Sequence, residues 1–279
     1  MPKDQFITKA SGERVFFDVE KLRHSLKKSG ADNQTVDAIV NNVVGRLYEG
    51  ISTKDIYTMA FTLLRDKHAA SFAARYKLKN AIMELGPSGY PFEKYFSEIL
   101  RYQGYSVQIS QILQGRCVTH EIDVIARFDH GVFFIECKYH NGRGTLTDVK
   151  TPLYINSRFE DVKFMQEQLP ENKNKQLKGW VVTNTHFSDD AIQYGRCVGL
   201  ELVGWDYPKG NSLKEQIDRT GLHPITCLTT LTKNEKANLL DAKIVLCREL
   251  AEKPAALTAA GITKSRIHKI TDEALQLCR

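Results

Sequence analysis

A chain of 279 residues with 42% hydrophobic and 26% charged residues, at net charge +6, can bury a sizeable core and is long enough for two or three compact domains. None of its apolar runs approaches membrane-spanning length and its opening MPKDQFITK lacks the apolar stretch of a secretion signal, so a cytoplasmic protein is expected. The six cysteines, Cys117, Cys137, Cys197, Cys227, Cys247 and Cys278, form no CxxC pair, which argues against a zinc site or a disulfide framework and for reduced thiols.

Residues 5–17, QFITKASGERVFF, read as a short hairpin turning at Ser11-Gly12. Asp18 suits the cap of a helix over 19–29 that Gly30 ends, and further helix starts are expected at Asp32, Ser52 and near Ala69. Val36, Ile39, Val40, Val43 and Leu47 form the apolar stripe of the second helix. The runs ITKASGERVFFDVEKL (7–22), GISTKDIY (50–57) and AARY (73–76) resemble the ATP-cone, a regulatory nucleotide-binding module of ribonucleotide reductases and of a repressor of their genes. The resemblance implies that Ile7 and Leu22 contact the base, Lys9 and Lys21 the phosphates, and Phe17, Thr53 and Tyr57 the surrounding pocket, with ATP or dATP as regulatory ligand. Ala10 stands where that family carries a second basic residue, and without a Walker A motif the nucleotide is expected to bind unhydrolysed. The stretch LGPSGYP at 85–91 marks a boundary, and as a bendable linker it would pass a nucleotide-driven change onward.

FEKYFSEILRYQGYSV (92–107) reads as a helix closed by a glycine-aromatic turn, and HEIDVIA and FFIECK as strands joined through RFDHG. Residues two apart in a strand share a face, so Glu136 and Lys138 point the same way. A loop at Asp129-His130 sets Asp123 opposite Glu136, whereas one at His130-Gly131 sets it opposite Lys138; either register gathers the three charges. Two close carboxylates repel and are relieved by a hard divalent cation, which polarises a phosphodiester and acidifies water. Asp123, Glu136, Cys137 and Lys138 resemble the D...ExK signature of PD-(D/E)xK nucleases, most closely the Mrr-type restriction endonucleases.

That resemblance implies an α/β nuclease core with a mixed sheet, in which Asp123, Glu136 and the backbone carbonyl of Cys137 bind Mg²⁺ or Mn²⁺. Lys138 would orient the attacking water or neutralise charge on phosphorus, and Glu93 would be an outer ligand. His120 stands where relatives approach the aspartate through glycines; it either contacts the scissile strand or caps β-structure, and a bulge would exchange Glu121 for Asp123. Thr151-Pro152 reads as a helix start, and Tyr154 and Arg158 share a face from which they would touch the DNA backbone. KGWVVTNTHFSDDAIQYGRCVGLELVGWD (178–206) follows the family's strand, helix and last strand, with Ser188 as the cap and Leu200, Leu202 and Trp205 buried.

After the turn-rich 207–211 the chain becomes helical, with Leu239, Leu240, Ile244, Leu246 and Leu250 at helical intervals, Gly261 at a helix end and Thr263 at the next cap. This part weakly resembles a helix-hairpin-helix DNA-binding domain, which implies phosphate contacts from the amides of Ile262 to Lys264 and charge from Lys264, Arg266 and Lys269. The first hairpin, DAKI at 241–244, lacks the family's glycines, and no long repeat appears.

The expected whole is a multidomain α+β and α/β protein: an ATP-cone over 1–86, a nuclease core over 91–208 and a small all-α domain over 209–279. The basic-to-acidic counts, 14 to 10 up to residue 90, 13 to 15 over 91–208 and 12 to 8 beyond, suit a metal-dependent catalyst whose hold on DNA comes partly from its flanks. The function expected is a metal-dependent DNA endonuclease, regulated by ATP or dATP, acting in restriction of foreign DNA, and working as a homodimer where both strands are cut. The rival readings are a nucleotide-responsive DNA-binding regulator with a vestigial nuclease fold, and a DNA-repair or RNA-cleaving nuclease.

Overall fold

The structure, a computed structural model, describes residues 5–67, 70–142 and 144–278. Strands β1 (Phe6–Thr8) and β2 (Arg14–Phe16) pair antiparallel about a turn where Gly12 has φ 85°, and β1 also pairs in parallel with β3 (Ile51–Ser52). Helix α1 (Val19–Lys28) starts where the Asp18 carboxylate accepts the Glu20 and Lys21 amides, and α2 (Asn33–Val44) where Asp32 accepts that of Thr35. The Ser52 hydroxyl likewise accepts the Asp55 amide at the start of α3 (Thr53–Lys67), which is followed by α4 (Ala70–Tyr76) and α5 (Leu78–Ile82). The helix start expected near Ala69 falls outside the described residues. The expected stripe on α2 is buried at Val36, Ile39, Val40 and Val43, and Leu47 packs against the same core.

Helix α6 (Tyr90–Tyr102) begins inside the proline-glycine stretch with Pro91 in its first turn, and buries Phe92, Tyr95, Phe96, Ile99 and Leu100 completely. Strands β4 (Ser106–Gln114), β5 (Thr119–Phe128) and β6 (Gly131–Lys138) form an antiparallel meander. After β7 (Leu146–Thr147) and α7 (Lys150–Gln166), β8 (Gln176–Thr183) returns parallel to β6. The short β9 (His186–Phe187) pairs with β7, α8 (Asp189–Val198) starts at the Ser188 cap, and β10 (Glu201–Val203) joins β8 in parallel. The resulting mixed sheet runs β10-β8-β6-β5-β4, and one of its faces packs Ile125, Phe134 and Val181 against Ile155, Phe159 and Val162 of α7.

The described residues form two compact units: Leu85–Leu222, and a second built from the segment ending at Glu84 together with the segment starting at His223. Helix α9 (Leu213–Thr220), expected with the C-terminal domain, therefore belongs with the sheet. Its Leu213 and Ile217 are fully buried, Gln216 Oε1 accepts from Gln103 Nε2 at 3.0 Å, and the Leu222 carbonyl accepts from the Tyr95 hydroxyl at 2.7 Å.

The rest of the C-terminal segment carries α10 (Lys233–Asp241), α11 (Cys247–Glu252), α12 (Ala255–Ala259) and α13 (Lys264–Leu277). Two of its turns are built alike: Lys243 N donates to Leu240 O and Ile244 N to Leu239 O, and in the second turn Gly261 N donates to Thr258 O and Ile262 N to Leu257 O. Lys243, at φ 62°, takes the left-handed conformation that Gly261 takes at φ 87°, so α10 and α12 end on the same kind of left-handed cap. No helix among the described residues is long and apolar enough to cross a membrane.

Candidate active site

Phe128 pairs with Gly131, which places the β5–β6 loop at Asp129-His130 and, by the same register, sets Asp123 across from Glu136. The ladder's last recorded pair is Val124 with Ile135. Beyond it the Asp123 side chain takes over, its Oδ2 accepting the Cys137 amide at 2.7 Å. On the other side of β5, the residue opposite Asp123 is Ser110, whose φ of 51° is rare for a residue with a side chain. His120 and Ile122 face α7, yet so does Ile125, so the in-out alternation of β5 breaks between Ile122 and Asp123. This break turns the Asp123 carboxylate toward Glu136 and leaves the Glu121 side chain exposed.

Glu136 is held from α7. Its Oε2 accepts from Arg158 Nη1 at 2.7 Å, while Arg158 Nη2 donates to the Glu121 carbonyl and its guanidinium lies 5.5 Å from the Tyr154 ring centre. Arg158, expected on the DNA backbone, is thus committed to the acidic strands, with only 16% of its side chain exposed. Tyr154, expected beside it on DNA, is well exposed. His120 is part-buried against Asp161, Nε2 to Oδ2 at 2.8 Å, and the same carboxylate accepts the Cys117 and Val118 amides. His120 therefore ties β5 to α7 rather than pointing outward. Those hydrogen bonds, His120 first, hold Asp161 down to about 2.

The electrostatics are those of a site short of positive charge. Burial, then Asp123, pushes Glu136 up to about 7 against the pull of Arg158. Burial, then Asp123, Glu136 and Glu121, pushes Glu93 on α6 up to about 7 as well, and burial raises Asp123. Lys138 is exposed at the end of β6, one strand repeat beyond Glu136 on the same face.

Each facing carboxylate has one oxygen held by a protein donor, Oδ2 of Asp123 and Oε2 of Glu136, and its other oxygen has no hydrogen bond among the described residues. The N–H and C=O of one extended residue project to the same side, so the Cys137 carbonyl faces β5 along with its amide. Two carboxylate oxygens and a carbonyl are hard donors of the kind Mg²⁺ or Mn²⁺ takes with water completing the shell. Among the described residues no three His, Cys, Asp or Glu side chains gather tightly enough to enclose an ion by themselves, so the carbonyl and water are required parts of that set.

Sequence reading overlooked the support behind Lys138. The Asn184 side chain, almost fully buried, accepts the His140 amide at 2.9 Å and donates to the His140 carbonyl at 2.9 Å, extending the pairing of β6 past its end. His140 Nε2 lies 2.9 Å from the hydroxyl of buried Thr147, which meets Thr183 and Thr185. Burial, then Lys138, lowers the His140 pKa. The signal was the polar run Thr183-Asn184-Thr185 closing an otherwise apolar strand.

In the N-terminal region, Ile7 and Leu22 are buried in the domain core with Phe17 packed on it, so in this conformation Ile7 and Leu22 present little surface to a base. Lys9 pairs with Glu13 at 2.8 Å and Lys21 lies 3.6 Å from Asp18, both on the surface. Thr53 is half-buried at the start of α3, and Tyr57 stacks on Tyr76 with ring centres 5.2 Å apart. In the C-terminal segment Lys264 and Lys269 are exposed, but Arg266 is not free for DNA: its guanidinium grips both Glu235 oxygens and the Thr230 carbonyl. The Ile262 amide is spent on Leu257 O, leaving the amides of Thr263 and Lys264 without an acceptor among the described residues.

Residues 5–81 match the ATP cone domain family, 86–206 the Restriction endonuclease family and 223–278 the family described as AF1548-like, C-terminal. An uncharacterized protein of Archaeoglobus fulgidus is 33% identical over 179 residues, which span 64% of this chain and 97% of that one. The crystal structure of a protein of unknown function, AF1548, aligns with TM-score 0.57 at 31% identity, over 68% of this chain and 98% of that one.

Proposed function

Because the chain belongs to the AF1548-like family and joins an ATP cone domain to a restriction-endonuclease domain, we propose that it is a nucleotide-regulated, divalent-metal-dependent endonuclease that hydrolyses DNA phosphodiesters. The observation that carries this reading is the facing pair Asp123 and Glu136, each with one oxygen anchored and one open, beside an exposed Lys138.

When bound between these carboxylates, Mg²⁺ or Mn²⁺ supplies charge to polarise the phosphodiester and acidify water. The chain's own groups do the rest. The Cys137 amide and Arg158 fix the rotation of the two carboxylates, as hydrogen bonds behind metal ligands commonly do. Lys138 orients the attacking water or meets the charge growing on phosphorus. Glu93, at about 7, carries a proton near neutrality and releases it as the cluster's charge is neutralised. Exposed Tyr154, with Lys264, Lys269 and the open amides of Thr263 and Lys264, would meet phosphates.

ATP or dATP would bind at the N-terminal domain, with Lys9 and Lys21 leaving their acidic neighbours for phosphates. Restriction of foreign DNA in the cytoplasm is the setting this combination suits, and cutting both strands with one site per chain calls for a homodimer.

The ion pair between Arg158 and Glu136 favours a second reading, a DNA-binding regulator in which a guanidinium has replaced the metal. Plasmid nicking in Mg²⁺ and Mn²⁺, with calorimetry of ion binding, separates the two. The nuclease reading expects ion binding lost in Asp123→Asn, and cleavage lost by at least about a hundredfold in Lys138→Ala with DNA still bound. Retarded but intact plasmid and no ion binding by the unaltered chain would sink it.

A further inference from the structure

Arg158 is held on three sides. Its Nη1 donates to Glu136 Oε2 at 2.7 Å, its Nη2 donates to the Glu121 carbonyl, and its guanidinium lies 5.5 Å from the Tyr154 ring centre. One side chain of α7 therefore braces both β5, through Glu121, and β6, through Glu136. A charge-assisted hydrogen bond to a carboxylate is among the stronger polar contacts, and the rigid fork of a guanidinium engaged at both nitrogens leaves it little freedom to let go. Asp123 is held in the matching way, its Oδ2 accepting the Cys137 amide at 2.7 Å.

The consequence is a limit on the number of ligands. A carboxylate with one oxygen committed to a donor offers a cation only the other, so Asp123 and Glu136 supply one oxygen each and the Cys137 carbonyl a third. Among the described residues no tight group of three His, Cys, Asp or Glu side chains enlarges that set. Mg²⁺ keeps several of its waters and accepts few protein oxygens, whereas Ca²⁺ takes about six to eight oxygens and commonly draws on both from one carboxylate. The charge on Arg158, by contrast, repels all divalent ions alike. It lowers their affinity without choosing between ions of equal charge. Any choice that Arg158 makes must come from the oxygen it occupies.

We propose that Arg158 sets ion choice at this site, holding Glu136 to a single coordinating oxygen and so favouring Mg²⁺ over Ca²⁺. This rests on the reading of Asp123 and Glu136 as a divalent-cation site. It goes beyond that reading in assigning selectivity to a positioning residue on α7 that itself binds no ion.

The test uses the full chain without DNA. Mn²⁺ binding is followed by electron paramagnetic resonance, with Mg²⁺ and Ca²⁺ as competitors, and the quantity read is the ratio of their two competition constants. In Arg158→Met both ions should bind more tightly as the repelling charge is lost, and Ca²⁺ should gain on Mg²⁺ by at least about fivefold. Arg158→Lys, whose ammonium keeps a donor for Glu136 Oε2, should hold the ratio within about twofold of the unaltered chain. A second measurement needs no change at Arg158: the infrared difference spectrum of the unaltered chain with Mg²⁺ should show the wide carboxylate band separation of one-oxygen coordination, reduced in intensity in Glu136→Gln. Equal gains for both ions in Arg158→Met, a ratio in Arg158→Lys that follows Arg158→Met, or the narrow separation of two-oxygen coordination at Glu136 overturns the inference. If the unaltered chain binds no Mn²⁺, or Asp123→Asn binds it equally well, the cation-site reading itself falls. Bound Mn²⁺ with an unmoved ratio removes only the role of Arg158.

Discussion

Without a divalent cation, the acidic cluster should make the nuclease unit lose stability as pH rises toward neutrality. Glu136 and Glu93 both stand at about 7 in the fold against an ordinary 4.5. A folded pKa above the unfolded one means stability fully present below about 4.5 and lost as pH climbs through about 7. For each carboxyl the full effect is about 3 kcal/mol; partial exposure and salt reduce the sum for the pair to about 2–4 kcal/mol. For a unit of this size that corresponds to a fall in Tm of roughly 5–15 °C between pH 5 and pH 8. Thermal melts monitored by circular dichroism in EDTA measure it directly. Glu136→Gln should flatten the slope, since the amide has no proton to lose, even though its absolute Tm drops with the Arg158 contact. Adding Mg²⁺ or Mn²⁺ should raise Tm at pH 8 and do little at pH 5, where the carboxyls are largely protonated. Parallel curves for the unaltered chain and Glu136→Gln across this range, or a metal effect of equal size at both ends, would refute the reasoning.

Replacing Asp161 by Ala removes the acceptor of the Cys117 and Val118 amides and of His120, so hydrogen exchange at those two amides should speed up by roughly tenfold or more. Asn184→Ala strips both backbone hydrogen bonds from His140 and should cost about 1–3 kcal/mol in chemical denaturation, with plasmid nicking reduced more than DNA binding. In the C-terminal segment the basic residues should divide by role. Lys264→Ala with Lys269→Ala should weaken DNA binding and reduce its logarithmic salt dependence by about 1–2, whereas Arg266→Ala, which frees Glu235 and Thr230, should lower Tm instead.

What the sequence disclosed is the part governed by short-range rules. Helix caps at Asp18, Asp32, Ser52 and Ser188 were readable because a side-chain oxygen beside an apolar period leaves little ambiguity. The convergence of Asp123, Glu136 and Lys138 was readable because both possible hairpin registers produce it, although only the pairing of Phe128 with Gly131 chooses between them. Long-range pairing was not readable. Nothing local says that Arg158 spends its charge on Glu136 or Arg266 on Glu235, since a basic residue on a helix face looks the same whether it waits for DNA or for a distant carboxylate. Nor did the turn-rich break at 207–211 reveal that α9 would fold back onto α6, because the decisive contacts run from Gln103 to Gln216 and from Tyr95 to Leu222. The broken alternation of β5 was foreseen only as an exchange of Glu121 for Asp123. Its actual form, with Ser110 left-handed across the strand pair, keeps Asp123 inward.

The split of one compact unit across both ends of the chain sets a timetable for synthesis. When α5 leaves the ribosome, Ala81 and Ile82, fully buried in the finished protein, have no Thr226 to meet until everything from Leu85 to Leu222 has been translated. At ordinary elongation speeds this wait lasts roughly ten to thirty seconds. The sheet-bearing unit can close its own core within that interval, so the newborn polypeptide holds one finished body before the seam between its N-terminal and C-terminal segments has been sealed.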